Sequence, residues 1–235
     1  MTTRDPPPFT RAGLRAGAAG AAPLAPSVAM YAVAFGIMAS AAGLTTAEAA
    51  LISGWVNAGG AQMASLQAWT TPVSLVAVCL TTLAMNARYL LMGATLRPWF
   101  HGLPARQVYP SLFVMGDATW TMALREREEG RTDAAFLLGA GLVMWVVWVA
   151  GTAAGHVFGS VLGSPERLGL DFMMAAFFAA LAVPFLRSSK SLVPFAVGVL
   201  VAVVVDRLVP GPWSILGGAL AGSVAGTVYS DDPAR

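Results

Sequence analysis

Residues 47–69 read AEAALISGWVNAGGAQMASLQAW, an apolar stretch long enough to cross a bilayer, with NAGGAQ at residues 57–62 near its centre. Gly59 and Gly60 weaken a helix, and the amides of Asn57 and Gln62 place hydrogen-bonding groups at a depth where water is absent. Backbone that leaves helical geometry at this depth must be buried in protein or line a cavity. Transporters use half-helices of this kind to hold solutes near the membrane midplane, so the stretch favours solute transport.

The composition is that of a membrane protein. The chain is 57% hydrophobic and 11% charged, against about 25% charged residues in soluble domains. A net charge of +2 is too small to indicate nucleic-acid binding. The single cysteine, Cys79, cannot form an intramolecular disulfide, and His101 and His156 lack the spacing of metal ligands. Because the sequence also contains no phosphate-binding loop and no nucleophile elbow, we predict neither an enzyme nor a cofactor or metal site.

Apolar runs and their punctuation predict an all-α polytopic membrane protein with seven or eight transmembrane helices. The predicted spans are 21–43, 47–69, 72–95, 107–124, 134–162, 169–187, 191–209 and 212–229. We predict a cytoplasmic polar tail at 1–20, one transmembrane transporter domain at 21–229 and a polar C-terminal tail at 230–235. Eight spans place most Arg and Lys residues on the cytoplasmic side together with the N-terminus. If 107–124 is not a span, seven spans place the N-terminus outside.

The sequence contains a faint internal repeat. Gly43-Leu44 followed by Ala49-Ala50 matches Gly169-Leu170 followed by Ala175-Ala176 at identical spacing, which aligns the break near Ala58 with Pro184. The repeat therefore predicts a second interrupted helix near Pro184. Glycines that recur every fourth residue from Gly151 to Gly163, and small residues at the same spacing from Ser214 to Gly226, predict close helix packing within the chain or with a partner.

Three polar residues inside apolar segments are candidates for function. Asn86 and Arg88 follow the run LVAVCLTTLAM. An arginine inside a span costs about 2.5–3.5 kcal/mol, so Arg88 either serves a function or partner, or extends toward the interface. Asp117 lies either at the interface or in the membrane, where it would need a cation such as Arg88 or a substrate ammonium. The residues leave open a carrier, a channel for a small neutral solute, or a non-transporting subunit of a membrane complex.

From Gly20 to about Leu186 the chain resembles the AzlC-type branched-chain amino acid permease family. The resemblance rests on Phe35-Gly36, the break at 57–62, Asn86-Ala87-Arg88, Gly116-Asp117, the run from Trp148 to Gly159 and Gly169-Leu170-Asp171-Phe172. It implies a multi-pass exporter of valine, leucine and isoleucine, sometimes methionine, in the bacterial cytoplasmic (inner) membrane. It also implies a small, separately encoded membrane subunit of the AzlD type. Tyr89 stands where the family often has His, and Ala118 where it often has an acidic residue, which leaves substrate identity and proton coupling open.

Amino-acid chemistry then suggests how the candidate residues act. Free N–H groups of Gly59 and Gly60 at a half-helix N-terminus suit a substrate carboxylate, and Asn57 and Gln62 would orient the solute. Asp117 would bind the ammonium group or a coupled proton, and Arg88 would hold Asp117 or the carboxylate. The predicted substrate-binding residues are thus Asn57, Gly59, Gly60, Gln62, Asn86, Arg88 and Asp117.

Overall fold

The computed structural model describes residues 7–67, 69, 75–162, 189–209 and 213–229, and these residues are helical apart from turns and short connections, with no strand among them. The helices are α1 (Arg11–Ala21), a 3-10 turn (Ala22–Leu24), α2 (Ala25–Ala41), α3 (Thr46–Val56), α4 (Gly59–Gln67), α5 (Leu75–Asn86), α6 (Arg88–Leu96), α7 (Ala105–Phe113), α8 (Asp117–Glu128), α9 (Ala135–Leu162), α10 (Ser189–Leu208) and α11 (Trp213–Tyr229). The all-α class predicted from the sequence is confirmed for these residues.

The chain forms two compact units. The first comprises Met1–Gln62 and Asn86–Pro165, and the second comprises Met63–Met85 and Glu166–Arg235. The predicted domain boundaries stay predictions. The stretch 1–20 was predicted as a polar tail, but it contains most of helix α1. Gly13 and Gly17 of this helix are buried.

Length and apolar composition identify two helices in the described residues that are able to cross a membrane, Arg11–Ala41 and Ala135–Gly159. The second agrees with the predicted span 134–162 to within three residues, whereas the first overlaps the predicted span 21–43 but begins ten residues earlier. A shorter apolar helix covers Leu216–Val228. The predicted count of seven or eight spans is not confirmed, since the segments 47–69, 72–95 and 107–124 are each divided into two helices.

The N-terminal segment is attached to the start of α9. Thr10 begins α1 as its N-cap, where its side chain accepts a hydrogen bond from Gly13 N (3.0 Å). The carboxylate of Asp133 accepts hydrogen bonds from Thr10 N (3.2 Å) and Thr10 Oγ1 (2.5 Å), and Ala134 N donates to Pro8 O (3.0 Å). The first helix is therefore held against α9 from its first turn.

Helices α2 and α9 pack backbone to backbone and run in the same direction. A side chain on Gly151 would meet Ala29 and Ala32, one on Gly155 would overlap Val33, and one on Gly159 would meet Ile37, so the contacts advance along both helices together. Small residues allow this close approach, as the glycine spacing from Gly151 predicted. The partner of this stripe, as far as Gly159, is α2 of the same chain.

The packing of α1–α2 on α9 is reciprocal. A side chain on Gly17 would overlap the carbonyl oxygen of Phe136, and one on Gly139 would overlap the carbonyl oxygen of Leu14. The same sequence separation relates Gly17 to Gly139 and Leu14 to Phe136. Reciprocal contacts of this kind are those of two elements related by a two-fold axis, which here runs along the helices.

In the second unit, α10 and α11 form an antiparallel pair. A side chain on Gly218 would lie 2.7 Å from Gly198 O, and one on Gly222 would lie 3.1 Å from Pro194 O. This pairing agrees with the small-residue spacing from Ser214, whose partner is again within the chain. In the same unit Ser65 Oγ lies 3.3 Å from Thr82 Oγ1.

His156 links α9 to the connection between α2 and α3. Its Nδ1 lies 2.9 Å from Thr46 Oγ1 and its Nε2 lies 2.6 Å from the Leu44 carbonyl oxygen, and the ring is buried. Both ring nitrogens therefore have partners. The histidine fixes the turn that positions α3.

The close approach of α2 and α9 predicts which glycines tolerate a methyl group. Gly36→Ala places a Cβ against the Thr152 carbonyl, so we expect a loss of about 1–3 kcal/mol in stability. Gly54→Ala is the matched control, because the nearest atom to its Cβ would be Trp145 Cζ2 at 3.7 Å. The control should be neutral or more stable by up to about 1 kcal/mol. Thermal denaturation in detergent measures both variants, and equal stability of the two would contradict the packing.

Candidate functional site

The helix predicted to break at residues 57–62 does break there, over a shorter stretch. α3 ends at Val56, Asn57 has a left-handed backbone (φ 42°, ψ 37°), and α4 begins at Gly59. Among the described non-glycine residues Asn57 alone has a positive φ, a conformation that Asn adopts more readily than most residues. Gly59, Gly60 and Gln62 therefore belong to the first turn of α4 rather than to irregular backbone.

The side chain of Gln62 is the centre of a buried hydrogen-bond network. Trp148 Nε1 donates to Gln62 Oε1 (2.9 Å), and Gln62 Nε2 donates to Ser53 Oγ (3.4 Å). Ser53 Oγ in turn lies 2.9 Å from Thr152 Oγ1. Gln62 is 1% exposed, and Ser53 and Thr152 are fully buried. The network ties α3 and the first turn of α4 to α9 on either side of the break.

Trp148 also covers the start of α4. A Cβ on Gly59 would lie 2.6 Å from Trp148 Cη2 and 3.1 Å from Tyr31 Cε1. The Trp148 ring lies 5.7 Å from that of Tyr31 and stacks on that of Phe35 at 6.2 Å between centroids. Only glycine fits at position 59, because any side chain there would overlap the indole. The first turn of α4 is therefore packed under aromatic rings.

A second break divides the segment 107–124, which we predicted as one helix. That prediction is wrong: α7 ends at Phe113 and α8 begins at Asp117. Pro110 lies inside α7, which continues past it to Phe113, and the interruption comes at Gly116, which adopts extended backbone (φ −130°, ψ 174°) as the N-cap of α8. Thr119 Oγ1 accepts a hydrogen bond from Gly116 N (2.9 Å) and so caps the new helix.

Of the two partners that the sequence left open for Asp117, Arg88 or a substrate ammonium, Arg88 forms an ion pair with it at this second break. Arg88 Nη2 lies 2.8 Å from Asp117 Oδ2, and the two side chains are 35% and 55% exposed. The guanidinium also lies 5.4 Å from the centre of the Tyr89 ring. The pair joins the first residue of α6 to the first residue of α8, where the helix N-terminus favours a carboxylate.

Two buried polar atoms beside this pair keep unused hydrogen-bonding capacity. Arg88 Nε and Asn86 Oδ1 are buried and have no hydrogen-bond partner in the described part of the chain. One is a donor and the other an acceptor, and their residues flank Ala87 at the junction of α5 and α6. Buried polar groups are normally paired, so this junction is suited to a ligand that carries both an acceptor and a donor.

The structure does not join all the predicted residues into one cluster. In the described ranges no hydrogen bond or ion pair joins the Gln62 network to the Arg88–Asp117 pair. Both breaks nevertheless pack on α9, since Val114 lies against Gly141 and Gly59 lies against Trp148. Gly141 and Trp148 are two turns apart on α9, about 10 Å along its axis.

Further contacts join the elements around the breaks. Trp55 of α3 and Phe113 of α7 form an edge-to-face pair with centroids 6.0 Å apart, and Trp145 Nε1 donates to Gly54 O (2.9 Å). Sequence reasoning singled out neither Ser53 nor Thr152 as a site residue. In the sequence, both residues are small hydroxyl side chains inside apolar segments. Such residues are common in apolar segments, so their presence alone does not predict that they bond to each other. Among the residues described, no three His, Cys, Asp or Glu side chains are grouped to hold a metal ion.

Comparison with known proteins assigns the family. The family model described as AzlC protein matches residues 23–162, more than half of the chain. The chain belongs to the AzlC family. The match includes both breaks, the Gln62 network and the Arg88–Asp117 pair.

Named relatives of this AzlC family chain are membrane or transport proteins. The inner membrane protein YgaZ of Escherichia coli is 27% identical over 216 residues, 88% of this chain and 87% of YgaZ. The branched-chain amino acid transport protein AzlC of Bacillus subtilis is 26% identical over 147 residues, 62% of this chain and 57% of that protein. An uncharacterized membrane protein of Archaeoglobus fulgidus is 28% identical over 155 residues, 65% of this chain and 67% of that protein. No solved structure matches the chain. The chain is therefore a membrane-associated protein.

The Gln62 network predicts a specific role for the indole N–H of Trp148. Trp148→Phe retains an aromatic ring but leaves Gln62 Oε1 buried without its donor, which should cost about 1–3 kcal/mol of stability. Trp55→Phe is the matched control, because Trp55 is exposed and meets Phe113 through its ring. Thermal denaturation in detergent compares the two. If Trp148→Phe is no less stable than Trp55→Phe, the hydrogen bond does not support the break.

Proposed function

We propose that this protein is a secondary carrier that exports branched-chain or other apolar amino acids, among them valine, leucine, isoleucine and methionine, across the bacterial cytoplasmic membrane. The observation that carries the proposal is the pair of interrupted helices on α9, one with a satisfied buried network and the other with an ion pair and unused polar atoms. Carriers place substrate sites at such interruptions. Family membership and the printed name of the Bacillus subtilis relative support the substrate class.

The Arg88–Asp117–Asn86 cluster suits the head group of an amino acid. A substrate carboxylate would accept a hydrogen bond from Arg88 Nε, which leaves Nη2 on Asp117. The substrate ammonium would donate to Asn86 Oδ1 and to Asp117. Each charge of the zwitterion would then face an opposite charge or a dipole, as groups taken out of water require.

The partial exposure of the Arg88–Asp117 ion pair is consistent with a carrier, in which charged groups of the substrate site reach water. In the predicted span 107–124 Asp117 lies well inside the segment, and a charge at that depth faces water or protein rather than lipid. Side chains that are 35% and 55% exposed would therefore border an aqueous cavity or a partner subunit. A small AzlD-like membrane subunit, which the family resemblance implies, is the partner we propose.

Gln62 takes a positioning role in this proposal rather than direct contact with the substrate. Its carbonyl oxygen already accepts from Trp148, and its amide nitrogen reaches Ser53. Asn57 supplies the left-handed residue at which the chain turns between α3 and α4. The N–H groups of Gly59 and Gly60 at the start of α4 remain a second place for a carboxylate, since helix N-termini favour anions.

We infer eight membrane crossings from the direction of the helices. Because α2 and α9 run in the same direction in one unit, an odd number of crossings separates them. The three predicted segments between them, 47–69, 72–95 and 107–124, supply that number. The reciprocal contacts of α1–α2 with α9 support an internal repeat with four crossings in each half. The distribution of Arg and Lys residues over eight spans supports a cytoplasmic N-terminus.

Cysteine labelling beyond the two ends of the predicted span 107–124 tests this topology. In a Cys79→Ser background, we expect Arg106→Cys to react with a membrane-impermeant maleimide added to intact cells. We expect Glu128→Cys to react only after the cells are permeabilised. Both positions are exposed, so accessibility within the protein is matched. Reaction of both from the same side would mean that 107–124 does not cross the membrane.

Counterflow of radiolabelled valine in proteoliposomes tests the transport function, with and without a co-expressed small partner. Counterflow from the chain alone would establish a self-sufficient carrier, and counterflow only with the partner would place the completed pathway in a complex. Absence of counterflow in both cases, across a panel of apolar amino acids, would contradict the proposal. A channel or a non-transporting subunit would then be the better description.

The ion pair predicts how transport responds to charge changes. Arg88→Gln removes the carboxylate ligand and leaves Asp117 unpaired, so we expect at least a tenfold loss of valine counterflow with membrane insertion retained. Arg125→Gln is the matched control, because its exposed side chain bonds Glu129 at the end of α8. The double variant Arg88→Asp/Asp117→Arg should recover stability and not transport. Wild-type counterflow in Arg88→Gln would remove Arg88 from the mechanism.

A further inference from the structure

A groove on the first unit lies between α6 and α7, and its described lining includes no residue of the Gln62 network or of the Arg88–Asp117–Asn86 cluster. It encloses a volume of about 470 Å³. Leu90, Gly93 and Ala94 line it from α6, and Val108 and Leu112 line it from α7. Leu90 is 79% exposed, and a Cβ on Gly93 would meet no atom within 4 Å. The middle of the groove is therefore an open apolar trough.

The groove is basic at one end. Arg97, the residue that follows α6, and His101, four residues later, both line it and are exposed. No acidic residue is among the described residues that line the groove, and neither basic side chain forms an ion pair with a described carboxylate. Arg97 thus presents a positive charge with no described counter-charge, to which His101 adds a hydrogen-bond donor.

The groove runs from an apolar end at Leu90 to a basic end at Arg97. Leu90 lies seven residues before Arg97, about 10 Å along the α6 axis, so an apolar channel of that length leads to the basic end. Arg97 lies two residues beyond the predicted span 72–95, so the topology proposed above, on which this step rests, puts it at the membrane surface. Basic side chains at this level, beside an apolar surface, attract anionic lipid head groups.

We propose that this groove binds an anionic phospholipid. The phosphodiester lies against Arg97 and His101, and one acyl chain lies along Leu90, Gly93 and Ala94. Both walls are helices, whose backbone N–H and C=O groups bond within the helix, so they offer no hydrogen bonds to an extended peptide. Charge complementarity and the apolar trough together favour a lipid over a free phosphate, which would use the basic end alone.

Binding is tested on the purified full-length chain in detergent by thermal shift and native mass spectrometry. The probes are phosphatidylglycerol, phosphatidylcholine and glycerol 3-phosphate. We expect the protein to retain phosphatidylglycerol in native mass spectrometry. We expect phosphatidylglycerol to raise the melting temperature, phosphatidylcholine to raise it less, and glycerol 3-phosphate to leave it unchanged. Equal shifts with both lipids would mean nonspecific lipid contact, and an equal shift with glycerol 3-phosphate would mean a small-anion site. Either result overturns the proposal.

Two kinds of variant test the two ends of the groove separately. Arg97→Gln should weaken phosphatidylglycerol binding about fivefold, the factor expected for one basic side chain near anionic lipid. Arg15→Gln, an exposed arginine on α1, makes the same charge change elsewhere and should leave binding unchanged. Gly93→Leu fills the trough and should reduce binding with the charges retained, whereas Gly93→Ala should have a smaller effect.

The outcomes decide the proposal even if one variant folds poorly. Size-exclusion chromatography identifies a variant that does not fold. If Gly93→Leu does not fold, phosphatidylglycerol binding by Arg97→Gln decides whether the proposal holds. Undiminished phosphatidylglycerol binding in Arg97→Gln relative to Arg15→Gln would overturn the assignment of the head group. The lipid site is independent of valine transport, so failure of the counterflow experiment leaves it unaffected.

Discussion

The close approach of α9 to α1–α2 is the constraint on which the first unit depends. At Gly17, Gly36, Gly139 and Gly155 a single added carbon would overlap a backbone carbonyl of the other helix. In the membrane, where apolar surface gains nothing by leaving lipid, contacts of this closeness supply the packing energy. Three further helices of the unit, α3, α7 and α8, also contact α9.

The two breaks on α9 differ in how their polar groups are satisfied. At the first break, Gln62, Ser53, Thr152 and Trp148 bond to one another in a buried network. A satisfied network of this kind makes its geometry specific, because a displaced member leaves its partners unpaired. At the second break, the Arg88–Asp117 pair is partly exposed and Arg88 Nε has no described partner. The network at the first break thus fixes the positions of α3 and α4 relative to α9, whereas the second break has polar atoms that are able to bind a ligand.

Much of the architecture was accessible from the sequence because its signals are local. An apolar run interrupted by NAGGAQ predicts a broken helix, and Asn57 supplies the left-handed residue at that place. The spacing of Gly151, Gly155 and Gly159 predicts a close helix contact for the same reason. The single helix predicted over 107–124 is wrong because α7 continues through Pro110 to Phe113 and the chain turns extended only at Gly116, and neither residue type inside an apolar run reveals by itself where a helix ends. The interruption predicted at Pro184 lies outside the described residues.

The sequence by itself determined the membrane class, the place of the first break and the charged residues that require partners, since composition, backbone propensity and desolvation act locally. Tertiary structure alone decided which groups meet. Ser53 and Thr152 lie far apart in the chain, and only the parallel packing of α2 on α9 and the antiparallel return of α3 bring them together. The same holds for the pairing of Trp148 with Gln62 and for the groove that ends at Arg97. Such contacts depend on the direction and spacing of whole helices, which no local pattern of residues encodes.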